Sequence, residues 1–368
     1  MKRFIGTFIL ALIAVWSFSL QPAVAEEALI SLRGGKVKLG GELELEFIKS
    51  QDEVGGNGNP NARFAIDKVV LTPNVAFTDA ITFQADIEFD GGGGAKVDEA
   101  WLKFTGLPRD TYIKVGLEDV FYKPHRKTES YPINGHAFFQ DEDLGVHAGG
   151  EFEQFYWRAS ITNGRELTDR RLQEYNDYDI THDNSTNSED NDNKEIGIGV
   201  GMKHHFKDGH EIDVMPFLTI GELSAADVGY INGLPGIAGS TDDSKDRYGL
   251  NLEYLLNDMS FFFQYISATD GALDRKGWYI QPSYKVYFKD RPTFTAVEFL
   301  LRYDNYEVDQ VNDPTDSRTW DRDSFVLAAI TDVVKNVKVK AEYAFHGEET
   351  GGAEVDNNEH VVQLEAKF

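Results

Sequence analysis

The chain contains no cysteine in 368 residues. That excludes a disulfide scaffold, a thiol nucleophile, and zinc or iron–sulfur sites built on thiolates. It also excludes a lipidated cysteine anchor. Basic residues are in deficit, with 36 Lys and Arg against 62 Asp and Glu, for a formal net charge of -26. A nucleic-acid binder carries a basic footprint, so no nucleic-acid partner is expected. Long apolar runs are missing as well. A membrane helix needs about 20 consecutive apolar residues, and only the extreme N-terminus approaches this. What the chain does have is 12% aromatic residues and 34 glycines, which separates it from a disordered acidic tail.

The first segment reads as an address. Lys2 and Arg3 precede an uncharged, mostly apolar stretch over 4–20, and Ala23-Val24-Ala25 forms a small-residue cleavage site. This is the pattern of a secretory signal peptide. The expected division is 1–25 as signal peptide and 26–368 as one β-barrel domain.

Beyond it the apolar period is two. Leu43, Leu45 and Phe47 alternate with Glu42, Glu44 and Glu46; Phe155, Trp157, Ala159 and Ile161 alternate with Tyr156, Arg158, Ser160 and Thr162. Strict alternation marks strands with one wet and one apolar face. Sixteen such strands are predicted, at 36–49, 62–76, 80–90, 96–106, 111–118, 144–152, 154–163, 194–207, 210–222, 246–256, 258–268, 276–288, 292–304, 320–332, 335–346 and 358–368. No helix of ordinary length is expected. The connections alternate long and short, as in bacterial outer-membrane barrels with an even strand number, long outer loops and short periplasmic turns. The chain therefore predicts an all-β fold, a 16-stranded antiparallel transmembrane barrel closed without edges. A lumen of that width is an aqueous channel rather than a packed core. The last strand ends on the aromatic Phe368, expected to act as the assembly signal.

Three segments carry a family resemblance: Asp98-Glu99-Ala100-Trp101-Leu102-Lys103-Phe104; Tyr112-Ile113-Lys114-Val115-Gly116, followed by a long third loop; and Arg158-Ala159-Ser160-Ile161-Thr162-Asn163-Gly164. They resemble the phosphate-selective porin O/P family. The resemblance implies a homotrimeric outer-membrane porin whose third loop folds inward and narrows the pore. After Gly116, where the family has Gln-Phe, this chain has Leu117-Glu118-Asp119-Val120-Phe121, placing two acids beside the expected constriction.

The candidate constriction and anion pathway comprises Lys123, His125, Arg126 and Lys127 on the third loop, with Lys114, Arg158, Glu118 and Asp119. Rings of Lys or Arg select anions and rings of carboxylates select cations. The alternative for the third-loop cluster is a solvated loop of mixed charge. Strand phase also aims Lys36, Lys38, Lys103, Lys203, Lys285, Lys338, Lys340 and Lys367, together with Lys114, into the periplasmic half of the lumen as a basic vestibule. The alternative there is lysines reaching toward lipid head groups. The acid-rich stretch 177–192 lacks the glycine and spacing of a calcium loop and reads as a solvated outer loop. No catalytic constellation, cofactor site or metal-ligand spacing stands out. The expected function is passive diffusion of small hydrophilic solutes with a preference for anions such as phosphate. The alternatives are a general, weakly cation-selective porin, a barrel sheathing a partner protein, and a soluble secreted β-protein acting on glycans. Expected partners are outer-membrane lipid and lipopolysaccharide, the barrel-assembly machinery, and two further copies of the chain.

Overall fold

The computed structural model describes residues 29–32, 35–50, 62–90, 94–171, 178–185, 194–207, 209–353, 355 and 357–368. The segment expected to be a signal peptide and half of the acid-rich 177–192 stretch lie outside the described residues.

Sixteen long antiparallel strands close into a barrel. They are β1 (Gly35–Ser50), β2 (Ala62–Thr78), β3 (Ile81–Asp90), β4 (Ala95–Leu107), β5 (Thr111–Glu118), β6 (Asp143–Phe152), β7 (Phe155–Thr162) and β8 (Glu195–His205). Then come β9 (His210–Glu222), β10 (Ser244–Leu256), β11 (Met259–Asp270), β12 (Leu273–Tyr287), β13 (Ala296–Val308), β14 (Asp321–Val334), β15 (Val337–Glu349) and β16 (Glu359–Lys367). A short strand, Leu29–Leu32, adds to β1. Each long strand pairs with its neighbours in sequence, and β16 returns to β1 with Val361 opposite Ile48. Each of the sixteen long strands is paired on both sides, which removes the exposed edges an open sheet would carry.

The period-two pattern sorts the side chains. On β13, Phe299, Leu301 and Tyr303 face outward and are exposed, while Leu300, Arg302, Asp304 and Tyr306 face inward and are buried. The turns at one end are mostly two to four residues long. Two of them place an asparagine, Asn257 or Asn336, at positive φ, a conformation asparagine tolerates. The turn at 288–295 is longer than the sequence indicated. The opposite end carries the long loops, with two exceptions, one of them the four-residue link between β3 and β4. The loop expected over 269–275 shrinks to Gly271 and Ala272, because β11 and β12 remain paired up to Asp270 and Leu273. Among the described residues, the largest elements left unread in the sequence lie in the loops. A hairpin of Glu166–Arg171 and Asp179–Asn184 stands in the fourth loop, and an eight-residue helix, α1 (Ala225–Asn232), stands in the fifth.

Phe368 extends the closing pair of strands. Gly41 N–H donates to the Phe368 carbonyl at 3.0 Å, and Phe368 N–H donates to the Gly41 carbonyl at 3.0 Å. The Phe368 ring covers Gly41 so closely that an added Cβ would lie 2.4 Å from it. Deleting Phe368 removes both bonds and this cover. The expected outcome is a chain that refolds poorly in detergent and shows one gel mobility whether boiled or not. A deletion that keeps the compact unboiled form at wild-type yield would overturn this.

Candidate functional site

The third loop, 119–142, leaves the wall between β5 and β6 and is bound to the far side of the barrel. Asn251 Nδ2 and Gln264 Nε2 donate to the Tyr122 carbonyl at 2.9 and 3.0 Å. Lys127 Nζ reaches Ser260 Oγ at 2.8 Å, Ser283 Oγ at 3.3 Å and Glu298 Oε1 at 2.8 Å. Arg302 donates to Thr128 Oγ1 at 2.7 Å and to the carbonyls of Ser130 and Tyr131 at 2.9 Å each. Glu342 accepts from the backbone N–H groups of Glu129 and Ser130. These partners sit on β10 to β15 at inward-facing positions, so the loop crosses the lumen.

A packed interior forms on the side to which the loop is bound. Tyr122, Ile133, Phe138 and Phe139 of the third loop meet Leu167 and Ile180 of the hairpin, Ile231 of α1, and wall residues including Phe217, Ile266 and Tyr306. Tyr122 stacks on Phe217 with ring centroids 4.5 Å apart. Beside this apolar cluster lies an ionic one. Asp183 of the hairpin, which is 0% exposed, accepts from Arg247 at 3.1 Å and Arg275 at 3.0 Å. Both arginines also meet Asp270 at 2.6 Å. Arg165 donates to the Phe138 carbonyl at 2.6 Å and to Tyr122 Oη at 2.7 Å. Burial by itself would raise the Asp183 pKa; Arg247, Lys245, Arg275 and Arg165 overcome it and hold the carboxyl well below its usual range. Asp183 is therefore not the solvated loop acid expected from its neighbours in sequence.

The accessible part of the lumen is the remaining strip along β2 to β5. Inward-facing Gln84, Asp86, Glu88, Glu99, Lys103, Lys114 and Glu118 are only half-buried there. Inward-facing Gln264, Tyr279, Leu300 and Val326 on the opposite wall are fully buried.

The sequence candidates distribute as follows. Lys123 is paired with Asp119, lies 3.5 Å from Glu142 and donates to the Gln140 carbonyl at 3.2 Å. Burial lowers its pKa, but Asp119, Tyr131 and Glu142 more than compensate and hold it above the usual lysine value. Glu142 itself is pushed up to about 8 by burial, reinforced by Asp98. Arg126 is paired with Glu129 and lies over the Tyr131 ring at 4.5 Å. His125 is exposed. Lys114 meets Glu118 at 2.5 Å and covers the Trp101 ring at 4.1 Å. Lys103 lies over Tyr112 at 4.7 Å. Arg158 sits over Tyr156 at 4.9 Å, with Glu151 at 3.6 Å.

The vestibule lysines fall at inward register positions toward the turn end, and most face acids. Lys203 meets Glu211 at 2.7 Å, Lys285 meets Asp332 at 2.6 Å, Lys340 meets Glu365 at 2.8 Å and Lys367 meets Glu42 at 3.0 Å. Lys36 and Lys38 are exposed and Lys338 is half-buried. Strand phase in the sequence also aims Glu42, Glu44, Glu46, Asp86 and Glu88 inward, and an acidic lining is present. Asp86 and Glu99 stand directly opposite each other on β3 and β4, both facing inward. Two carboxylate groupings, Glu42–Glu44–Glu365 and Glu44–Asp67–Glu129, are close enough to share a cation.

No family model matches the chain, and no curated protein sequence does. Solved structures match it over nearly its whole length. OprB of Pseudomonas putida superposes with a TM-score of 0.63 at 12% identity, covering 90% of this chain and 94% of that one. The outer membrane channel DcaP of Acinetobacter baumannii gives 0.59 at 13% identity, covering 91% and 98%. The trimer form of OmpT, an outer membrane protein of Vibrio cholerae, gives 0.54 at 13% identity, covering 91% and 100%. By fold, then, the chain is a closed sixteen-stranded antiparallel barrel similar to those of these outer-membrane proteins.

Proposed function

We propose that the protein is a passive diffusion channel of a Gram-negative outer membrane, exported through the inner membrane by its N-terminal signal. It admits small hydrophilic solutes and favours cations. The long loops face outward and the short turns face the periplasm. Outer-membrane lipid and lipopolysaccharide surround the apolar face, the barrel-assembly machinery inserts it, and the trimer form of OmpT supports a homotrimer.

The observation that carries the cation preference is the pair Asp86 and Glu99. Like charges directly opposite each other across strands are destabilising, and here they line the accessible strip. The third-loop bases do not offset them, because Lys123, Arg126 and Lys127 are each paired with a carboxylate. The phosphate-selective resemblance keeps one supporting observation: Lys103 packs on an aromatic ring and stands opposite Lys114 across the strands. The reversal potential under a potassium chloride gradient separates the two. The intact channel is expected to prefer potassium, and Asp86→Asn with Glu99→Gln to move the potential toward chloride. An intact channel that prefers chloride, phosphate or sulfate would install the anion reading instead.

A further inference from the structure

Where the third loop lies against the wall, inward strand positions carry glycine instead of a side chain. On β8, Gly197 and Gly199 alternate with the exposed Ile196, Ile198 and Val200. On β12, Gly277 stands opposite the buried Ile266 and Tyr306 at an inward position. None of the three has a left-handed φ, so conformational freedom does not explain them. What rests on them does. The Phe121 ring lies against Gly197 and Gly199, where an added Cβ would come within 2.6 and 2.8 Å of its carbons. Asn134, further along the same loop, lies against Gly277, where an added Cβ would collide with its Oδ1.

The two seats have different surroundings. Phe121 is half-buried, with Tyr122 edge-on at 5.5 Å and Phe217 edge-on at 6.5 Å. Phe217 in turn crosses Gly249, its register partner on β10. Asn134 is 1% exposed, and neither atom of its amide has a hydrogen-bond partner. Room at Gly277, rather than a side-chain bond, therefore fixes where it stands. Carbon atoms pack at about 3.5–4.0 Å, so a methyl group at Gly199 pushes Phe121 about 1 Å off the wall. The accessible strip runs along β2 to β5, so a loop lifted from β8 or β12 moves into the passage.

We propose that Gly197, Gly199 and Gly277 set the size limit of the channel. They are positioning residues, which act on solutes through the third loop. Asn251, Gln264 and Arg302 tie that loop to one side of the barrel. The glycines decide how near to the wall it comes, and hence how wide the remaining strip is. The proposal rests on the channel reading and adds a size limit to its charge preference. The two are separable, because exchanging glycine for alanine alters width and leaves every charge in place.

The test uses the full chain refolded in detergent, then placed in planar bilayers and in liposomes whose swelling reports the entry of neutral sugars of graded size. Gly199→Ala and Gly277→Ala are each expected to lower single-channel conductance about twofold and to slow the largest sugars most, since pore diameter governs passage. The reversal potential is expected to stay at its wild-type value. Adding Phe121→Leu to Gly199→Ala, or Asn134→Ala to Gly277→Ala, removes the colliding atoms and is expected to restore conductance. Gly229→Ala, on α1 with nothing within 4 Å of the added Cβ, is expected to change neither reading. Should the glycine variants fail to assemble, Phe121→Ala alone, which empties the β8 seat, is expected to raise conductance and admit larger sugars. Wild-type conductance and size limit in the assembled glycine variants or in Phe121→Ala would overturn the proposal, as would a loss that the paired substitutions leave unrepaired. A wild-type protein that passes neither ions nor sugars would overturn the channel reading. The seats would then be read from unfolding, as a urea midpoint lowered by Gly199→Ala and recovered with Phe121→Leu, the coupling expected of residues in contact.

Discussion

Asp183→Asn is expected to detach the fourth-loop hairpin from the barrel wall and to raise conductance. Asp183 has no exposed surface and receives hydrogen bonds from Arg247 and Arg275. With its charge removed, those two arginines share the single carboxylate of Asp270, and Arg165 keeps only Glu195, 3.6 Å away. Breaking a buried pair by neutralising one partner costs about 3–5 kcal/mol, because the remaining charge is left uncompensated. The hairpin and the apolar cluster under it are what fill the β8–β14 side of the lumen, so their release opens that side to water. Three readings check this: a lower urea midpoint, new proteolytic cleavage within 166–184, and larger single-channel conductance. Because the folded-state pKa of Asp183 is depressed, its contribution is present above the ordinary carboxylate range and lost only as pH falls through the lowered value. Wild-type hairpin protection should therefore persist through mildly acidic buffer. An Asn variant with unchanged midpoint and conductance would show that the cluster does not hold the hairpin.

The strands were legible because alternation is local: each strand states its own two faces. All sixteen appear, most within a few residues of the expected ends. The contents of the lumen were not legible, because they depend on pairs far apart in sequence. Lys127 reads as a loose loop cation, yet its partner Glu298 is 171 residues away. Asp183 sits among acids that read alike, and nothing local separates it from them. A signal did exist on the other side of the pair: Arg247 and Arg275 occupy inward phase near the loop ends of β10 and β12, where a guanidinium requires a partner. The helix α1 also carried a readable start, since Ser224 and Asp227 form a reciprocal capping box. A β-bulge between β1 and β2, at Glu44 and Leu45, leaves Asp67 without a register partner and interrupts the alternation by one residue, and alternation was the only guide to facing. The vestibule lysines show the same limit. Their phase could be read, but not the opposing Glu211, Asp332, Glu365 and Glu42 that neutralise much of their charge.

Arginine at Leu252 or Phe263 is expected to block assembly, whereas arginine at Asn251 or Gln264 is not. Leu252 and Phe263 stand opposite each other on β10 and β11, and Asn251 and Gln264 form the adjacent rung. One rung faces lipid and the other the lumen, as the Asn251 and Gln264 bonds to the Tyr122 carbonyl require. Arginine on the lipid face near the midplane costs about 2–4 kcal/mol, a large share of the about 5–15 kcal/mol that stabilises an ordinary folded domain. Leu252→Arg and Phe263→Arg should therefore lack the compact, unboiled gel form. Asn251→Arg and Gln264→Arg should retain it, since an inward arginine meets the third loop rather than lipid and displacing that loop lets water reach the charge. They should still change conductance, because either substitution removes a donor that holds the third loop at Tyr122. Inward variants with wild-type conductance would show that these two bonds do not position the loop. Equal assembly on both faces would mean that the assigned facing of β10 and β11 is wrong, and with it the division between lipid wall and channel wall.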